Sequence, residues 1–375
     1  MIREVIALFF RLGATSFGGP AAHIAMMQDE VVRRRAWLGP EEFLDLLGAA
    51  NLIPGPNSSE LAMHVGWRRA GAAGLVAAGA AFILPAVAIT AVFAWAYVRF
   101  GTLPAFHGPL AGIRAAVLAV IGMAVWRLGR TGVKSRALAL MGALVFAAAL
   151  LGVSELILLL AGGVIGACWL AGFPGKGSPG TALGVLPAGI LALGAQPGDG
   201  GASLPTLGAL GLFFLKIGAV LYGSGYVLIA FLQGGLVERY GWLTRAQLVD
   251  AVAAGQFTPG PVLSTATFVG YLVLGPAGAV VATVAIFLPS FVFVALTARH
   301  VHRLRKTPWL AAFLDSVNVA ALALMAAVTL QLARSTLTGT TAWLIALAAL
   351  LVALRWAVNP AWLVLGGALL GWLAG

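Results

Sequence analysis

Two basic residues occupy matching positions within separate apolar runs of this chain. Arg11 and Lys216 lie 205 residues apart (216 − 11), and the residues next to them are equally apolar in both places. A cation in apolar surroundings needs a partner or a cavity, because it loses its hydration there. The pair therefore predicts a site for a doubly charged anion. The alternative is that each cation extends to a polar boundary or pairs with Asp45 or Asp250.

A Pro-Gly-Pro triplet follows each of these cations at the same spacing, as Pro54-Gly55-Pro56 and Pro259-Gly260-Pro261. Proline removes a helical hydrogen bond and clashes with the preceding turn, so each triplet predicts a helix that stops and restarts. The exposed N–H groups of a restarted helix attract oxyanions, although capping by Asn57 and Ser58 is the alternative use of the first one. Besides the two cations, the predicted substrate-binding residues at these breaks and at the earlier Gly18-Gly19-Pro20 break are Gly18, Gly19, Asn51, Gly55, Asn57, Ser58, Ser59, Gln256, Gly260, Ser264 and Thr265.

Three acidic residues in the apolar segments complete the set of chemically active side chains. Asp45 and Asp250 are equivalent in position, and they predict either structural ion pairs or groups that carry a coupled proton. Glu60 lies four residues before His64 on one helix face, and His23 lies near the first break. No further ligands accompany these residues, so the sequence predicts no metal, no cofactor and no catalytic residue.

These matching positions belong to a duplication that covers most of the chain. Residues 9–56 repeat at residues 214–261, and the register continues at an offset of 204 through Leu84-Pro85 and Leu288-Pro289. The period is far too long for a soluble solenoid. We therefore expect two repeats, residues 1–172 and 205–375, joined by a connector, residues 173–204, that contains a spanning helix.

The composition predicts an all-α polytopic membrane protein. Hydrophobic residues form 61% of the chain and charged residues 9%, and the mean hydropathy is +0.99. A water-soluble fold of this composition would expose mostly apolar surface. The net charge of +11 does not indicate a nucleic-acid partner, because the basic residues lie in short runs at the ends of apolar segments. The expected partner is the lipid bilayer, and whether the chain forms a homodimer stays open.

Each repeat is expected to begin with two discontinuous segments. In repeat one they are residues 3–35 and 40–69, and in repeat two residues 207–240 and 245–270. The second segment of each repeat is read as a re-entrant pair of half-helices, and the first as either re-entrant or a broken span. Continuous apolar helices are then predicted at residues 71–98, 110–128, 137–151, 154–171, 276–298, 309–332, 341–354 and 360–374.

The distribution of charge predicts that the two repeats have inverted topology. The loop at residues 127–136 is strongly basic in repeat one, whereas its counterpart in repeat two contains only Arg334. The loop at residues 99–109 contains one basic residue, whereas its counterpart at residues 299–306 is strongly basic. Because basic loops face the cytoplasm, equivalent loops should lie on opposite faces of the membrane.

The motifs at the breaks resemble a known family. The segments FRLGATSFGGPAAHI and RRRAWLGPEEFLDLLGAANLIPGPNSSELAMHVGWRRAG of repeat one, and YGSGYVL and QFTPGP of repeat two, are similar to the signatures of the chromate ion transporter family. The resemblance covers nearly the whole chain apart from the connector. It implies a two-domain protein of the bacterial inner membrane that exports chromate.

The expected function is secondary transport of a tetrahedral divalent oxyanion through a site between the repeats. The chain has no GxxxxGK[ST] loop for ATP, so the membrane potential or ion exchange would supply the energy. Sulfate or another oxyanion is the alternative cargo, and an anion channel would share the architecture. A membrane enzyme acting on an anionic lipid is the alternative from another class, but it would need a catalytic constellation beyond Glu60, His64 and His23.

Overall fold

The computed structural model of the chain describes residues 1–171, 204–222, 225–298, 308–356 and 358–374. These residues form helices and connecting turns, with no strand among them, which confirms the all-α prediction. In chain order the α-helices are α1 (Ile2–Thr15), α2 (Gly19–Gln28), α3 (Pro40–Ala50), α4 (Asn57–Phe100), α5 (His107–Gly132), α6 (Arg136–Leu150), α7 (Glu155–Ala171), α8 (Leu207–Val220), α9 (Leu228–Leu232), α10 (Arg245–Phe257), α11 (Thr265–Thr297), α12 (Pro308–Thr336), α13 (Thr340–Arg355) and α14 (Pro360–Ala374).

The first discontinuous segment folds back on itself. Helix α1 ends at Thr15, and the chain reverses through Gly18 (φ 108°) and Gly19 (φ 77°), in a backbone region that favours glycine. Helix α2 then continues into a π-helical turn, Asp29–Arg34. An ion pair of 2.6 Å joins Glu30 of this turn to Arg11 of α1. The segment is therefore a hairpin whose two arms run side by side.

The second discontinuous segment consists of α3 and the first arm of α4, separated by the Pro-Gly-Pro break. Helix α4 has two arms, residues 57–69 and 72–100, because Ala70 and Gly71 have non-helical backbone angles and Gly71 has a φ of 61°. Gly66 and Gly74 lie against each other across this turn, so a methyl group on either would overlap the carbonyl oxygen of the other. The long arm therefore begins where the prediction placed a new helix.

Repeat two reproduces these features at the same offset. Helix α11 bends at Leu274 and Gly275 (φ 64°), and Gly270 packs against Gly278 as Gly66 packs against Gly74. A π-helical turn, Gln233–Arg239, follows α9 as one follows α2. The same backbone irregularities in both halves show that the duplication extends from sequence to conformation.

Contacts along the long arm of α4 show that the repeats point in opposite directions. Next to its first end, Arg68 of the short arm donates a hydrogen bond of 2.6 Å to Glu42 of α3. At its other end, Tyr97 donates a hydrogen bond of 2.7 Å to Asp250 of α10, the counterpart of α3. A helix rises about 1.5 Å per residue, so these ends are on the order of 40 Å apart. Equivalent helices therefore lie at opposite ends of the molecule, as inverted topology requires.

In each repeat, one long helix packs mainly against helices of the other repeat. Helix α5 of repeat one packs mainly against α13 and α14 of repeat two, and α12 of repeat two packs mainly against α6 and α7 of repeat one. The long arms of α4 and α11 pack on each other in the centre. Glycines permit the close approach of α5 and α14, since a methyl group on Gly112 would overlap the carbonyl oxygen of Gly367.

The discontinuous segments of the two repeats are packed differently. Those of repeat one form a separate apolar cluster with α4, built around Phe9, Phe43, Leu46 and Phe82. Those of repeat two belong to the main core, which also includes residues of α5 and α12. The discontinuous segments of repeat one therefore contact the rest of the molecule chiefly through α4.

Four stretches of the described residues are long and apolar enough to cross a membrane: residues 57–100, 104–132, 262–297 and 309–336. Five shorter apolar helices accompany them. The predicted continuous helices all appear, with ends that differ from the expected ones by a few residues. The expected spanning helix at residues 181–195 and the basic loop at residues 299–306 lie outside the described residues. So do Gly223 and Ser224, the counterparts in repeat two of Gly18 and Gly19.

Candidate functional site

The two Pro-Gly-Pro breaks are each hydrogen-bonded to the other repeat. Gly55 N–H donates to the carbonyl of Leu221, which follows α8, over 2.7 Å. Gly260 N–H donates to the carbonyl of Ser16, which follows α1, over 2.9 Å. Leu221 and Ser16 are themselves equivalent (221 − 16 = 205). These reciprocal bonds bring both Pro-Gly-Pro breaks, together with the residues that follow α1 and α8, to the junction between the repeats, around a pseudo-twofold axis.

This junction lies at mid-height of the central helices. Gly260 (φ 90°) lies against Ala86 and Phe82, which are close to the midpoint of the long arm of α4. Gly55 (φ 143°) lies against Ser290, close to the midpoint of the long arm of α11. Unwound backbone at this depth occurs in membrane proteins where it lines a cavity or binding site. The breaks are therefore the structural basis of the candidate site.

A buried carboxyl group occupies the first break. Glu60 is fully buried, and its Oε1 lies so close to Gly55 that a side chain on Gly55 would overlap it. The hydroxyl of Ser290, from repeat two, faces this carboxyl without the alignment of a hydrogen bond, and Tyr222 lies within electrostatic range of it. Glu60 thus contacts repeat two directly, although it belongs to repeat one.

Three hydroxyl groups occupy the second break. Thr90 of repeat one donates towards Thr258 over 3.3 Å and towards Ser264 over 3.2 Å. Thr90 and Ser264 are fully buried, and Thr258 is almost so. The first break has Ile53 and Ser59 in place of Thr258 and Ser264 (offset 205), so its polar groups differ. The site is symmetric in backbone and asymmetric in chemistry.

Several buried polar atoms of this region have no hydrogen-bond partner among the described residues. They are Ser16 Oγ, His23 Nδ1, Ser59 Oγ, both carboxylate oxygens of Glu60, both ring nitrogens of His64, Gln256 Nε2 and Ser290 Oγ. Such groups are costly in a folded protein unless a ligand or water satisfies them. Donors and acceptors are both present, which suits a hydrated or oxygen-rich ligand.

The amide side chains predicted at the breaks lie beside them. Asn57 donates a hydrogen bond of 2.5 Å to Asn51 across the first break, so it does not cap its own helix. Gln256 accepts a hydrogen bond of 3.1 Å from Tyr226 beside the second break. His23 packs edge-on against Phe82, and its Nε2 lies 3.1 Å from the carbonyl of Ser16. The structure thus gathers these predicted residues around the junction.

The two symmetric cations have different surroundings. Arg11 forms its ion pair with Glu30 rather than with Asp45 or Asp250, and about half of its side chain is exposed. Lys216 is partly buried on α8 and has no ion pair among the described residues. Ser58 and Thr265 are buried, and the Thr265 hydroxyl donates to the carbonyl of Val262 over 2.8 Å. Any anion bound by Arg11 would compete with Glu30.

A buried ion pair between the repeats was missed by the sequence reasoning. Arg114 of α5 forms a bidentate pair with Asp250, at 2.8 Å and 2.7 Å, and Tyr97 donates to the same carboxylate over 2.7 Å. Only 2% of the Asp250 side chain is exposed. Arg114 lies within an apolar helix, and the rule that singled out Arg11 and Lys216 applied equally to it.

A cavity of about 260 Å³ lies at the other end of α5. Its lining includes Thr131, Lys134, Asp315, Asn318 and Val227. Lys134 and Asp315 form an ion pair of 2.7 Å at its edge. Val227 follows Tyr226, the residue that contacts Gln256 at the second break.

Inverted repeats whose discontinuous helices meet at mid-height are an architecture of membrane transporters. The sequence model of the chromate transporter family matches residues 3–167 and again residues 208–372. The chain therefore belongs to the chromate transporter family, as the motif resemblance indicated.

The curated relatives include three proteins that match most of the chain. It is 34% identical to a chromate transport protein of Cupriavidus metallidurans, over 100% of this chain and 93% of the relative. It is 34% identical to a probable chromate transport protein of Synechococcus elongatus, over 93% of this chain and 89% of the relative. It is 32% identical to a chromate transport protein of Pseudomonas aeruginosa, over 89% of this chain and 81% of the relative. No solved structure matches the chain significantly.

Proposed function

We propose that the protein exports chromate across the bacterial inner membrane by secondary transport, with residues 1–172 and 205–375 as its two halves and residues 173–204 as their connector. The observation that carries this proposal is the reciprocal hydrogen bonding of the two breaks, Gly55 to Leu221 and Gly260 to Ser16. It creates one polar junction at mid-height, shared by both repeats. Family membership and the names of the relatives support chromate as the cargo.

The chemistry of the junction supports an oxyanion with several equivalent oxygens. Hydroxyl groups of Thr90, Thr258 and Ser264 lie on one side, and the restarted helices contribute the partial positive charge of their N-termini. A tetrahedral dianion accepts hydrogen bonds in every direction, so donors on both repeats can hold it. Sulfate has the same shape and charge, and it is the natural competitor in any assay.

The membrane potential is sufficient to drive export. Moving one charge across 100 mV is worth about 2.3 kcal/mol, so a dianion gains about 4.6 kcal/mol when it leaves a cell that is negative inside. Basic residues at the Lys134 end support a cytoplasmic location for that end, because basic loops face the cytoplasm. In this orientation the cavity beside Lys134 opens towards the cytoplasm.

Expression in a chromate-sensitive bacterium tests the proposed function. Cells that produce the protein should accumulate several-fold less chromate than cells with an empty vector. The double variant Thr90→Val, Ser264→Ala should lose most of this difference, because both hydroxyls leave the junction. Thr340→Val, at the exposed start of α13, is the matched control and should keep it. Equal chromate accumulation in producing and non-producing cells would refute the proposal.

A further inference from the structure

The two ends of the molecule differ in how the repeats meet. At the Tyr97 end, α10 of repeat two packs against α5 of repeat one, and Arg114 and Tyr97 hold Asp250 between them. At the other end, the corresponding pair would be α3 and α12. These two helices have no comparable packing contact among the described residues.

The residue equivalent to Arg114 lies beside the cavity. Continuing the offset of 204, Arg114 corresponds to Asn318, and Asp250 corresponds to Asp45 at the offset of 205. Asn318 is exposed in the cavity of about 260 Å³, together with Val227 and Lys134. At the Tyr97 end, the position of Arg114 is therefore closed by an ion pair. At the other end, the equivalent position of Asn318 is open.

The packing of the discontinuous segments follows the same asymmetry. In repeat two they are part of the main core, whereas in repeat one they form the separate cluster around Phe9, Phe43 and Phe82. A pseudo-symmetric protein can exchange the conformations of its repeats. The exchange would release α10 from α5 and would bring α3 onto α12, thereby filling the cavity.

We propose that Arg114, Tyr97 and Asp250 form a gate that closes one end of the transport pathway, and that the cavity lined by Asn318 is the open end in this conformation. The proposal rests on the proposed transport function. In the opposite conformation Asp45 approaches Asn318 and the gate at Asp250 opens. Substrate at the central junction would then exchange with the Tyr97 side.

The two gates are unequal in strength. A bidentate pair of guanidinium and carboxylate, supported by a tyrosine hydroxyl, binds more strongly than an amide to a carboxylate. The conformation with the Arg114 gate closed is therefore the resting conformation, and weakening this gate should shift the population towards the opposite one.

Thiol labelling of the cavity tests this proposal without any substrate. In a Cys168→Ser background, Asn318→Cys is the reporter, and a water-soluble maleimide is applied to membranes made permeable on both faces. The gate is weakened by Asp250→Asn, which keeps the shape of the side chain, or by Tyr97→Phe, which removes one hydroxyl. Glu42→Gln is the control, because its partner Arg68 lies in the same repeat.

The labelling rate of Asn318→Cys should fall at least threefold with Asp250→Asn and by a smaller factor with Tyr97→Phe, while Glu42→Gln leaves it unchanged. If Asp250→Asn does not insert, Tyr97→Phe alone decides the outcome. An unchanged rate in a folded gate variant would show that the ion pair is only structural and would overturn the proposal. Because no chromate is needed, this result is independent of the cargo.

Discussion

At the scale of residues, the central junction combines a symmetric backbone with asymmetric side chains. Glu60 fills the first break, whereas Thr90, Thr258 and Ser264 fill the second. A carboxyl group offers a dianion mainly acceptor oxygens, whereas each hydroxyl group can donate a hydrogen bond to it. We therefore expect the anion to lie nearer the second break than the first.

The roles of Arg11 and Lys216 can be separated by substitution. If they bind the anion, Arg11→Gln and Lys216→Gln should each abolish chromate efflux in a protein that still folds, because the dianion loses a charge partner. Arg11→Lys should retain part of the activity, since it keeps the charge but loses the bidentate geometry. The measurement is chromate efflux normalised to protein in the membrane.

The ion pair with Glu30 supplies the control for this test. Glu30→Gln frees Arg11 from its partner without removing the cation. Efflux at the wild-type rate in both Arg11→Gln and Lys216→Gln would assign Arg11 and Lys216 to structural roles. The anion site would then consist of the break residues, with Ser264 and Thr258 at its centre.

Sequence reasoning identified the positions of the break residues but not all of their contacts. Proline and glycine restrict the backbone locally, so the breaks around Gly55 and Gly260 were predictable from the chain alone. The pairing of Arg114 with Asp250 depends on which helices of the two repeats become neighbours. No local pattern in the sequence contains that information. The pairing of Arg11 with Glu30 could not be predicted from a local pattern either.

At the scale of elements, the tight turns within α4 and α11 determine the shape of each repeat. Each turn has a glycine with a positive φ, Gly71 or Gly275, and a pair of glycines that lets the two arms touch. Without side chains at these positions the arms can approach backbone to backbone. The short arm thus returns from the central break to the surface, and the long arm crosses the molecule.

Replacing the contact glycines should destabilise the fold equally in both repeats. A methyl group in Gly66→Ala or Gly270→Ala would overlap the backbone of the facing arm, which typically costs about 1–3 kcal/mol. We expect both variants to unfold at lower temperature in detergent, as measured by fluorescence-detected gel filtration. Gly208→Ala is the matched control, because its added methyl group meets nothing within 4 Å. Unchanged stability of both contact variants would contradict the hairpin geometry.

The sequence predicted these elements well because each boundary has a local cause. Helices begin or end near proline and glycine, and the long apolar runs specify continuous helices. The two π-helical turns, Asp29–Arg34 and Gln233–Arg239, were not predicted. A π-helical turn is closed by i→i+5 hydrogen bonds, and hydrophobic periodicity does not reveal where these replace the usual i→i+4 bonds.

At the scale of the whole molecule, inversion of the repeats relates the two conformations of the proposed transport cycle. In this cycle each repeat adopts the arrangement of the other in turn, so a pathway open at one end alternates with a pathway open at the opposite end. Charge distribution predicted this inversion from the loops alone. The packing of α5 against repeat two and of α12 against repeat one was not predictable, because equivalent helices have almost the same apolar pattern.

The proposed function is the movement of chromate from the cytoplasm to the outside under the membrane potential. Its most direct test is the uptake of labelled chromate into inside-out membrane vesicles, with and without an imposed potential that is positive inside the vesicle. We expect uptake that rises with this potential, falls with excess unlabelled chromate and is lost in the Thr90→Val, Ser264→Ala double variant. Uptake equal to that of vesicles without the protein, at every potential, would contradict it.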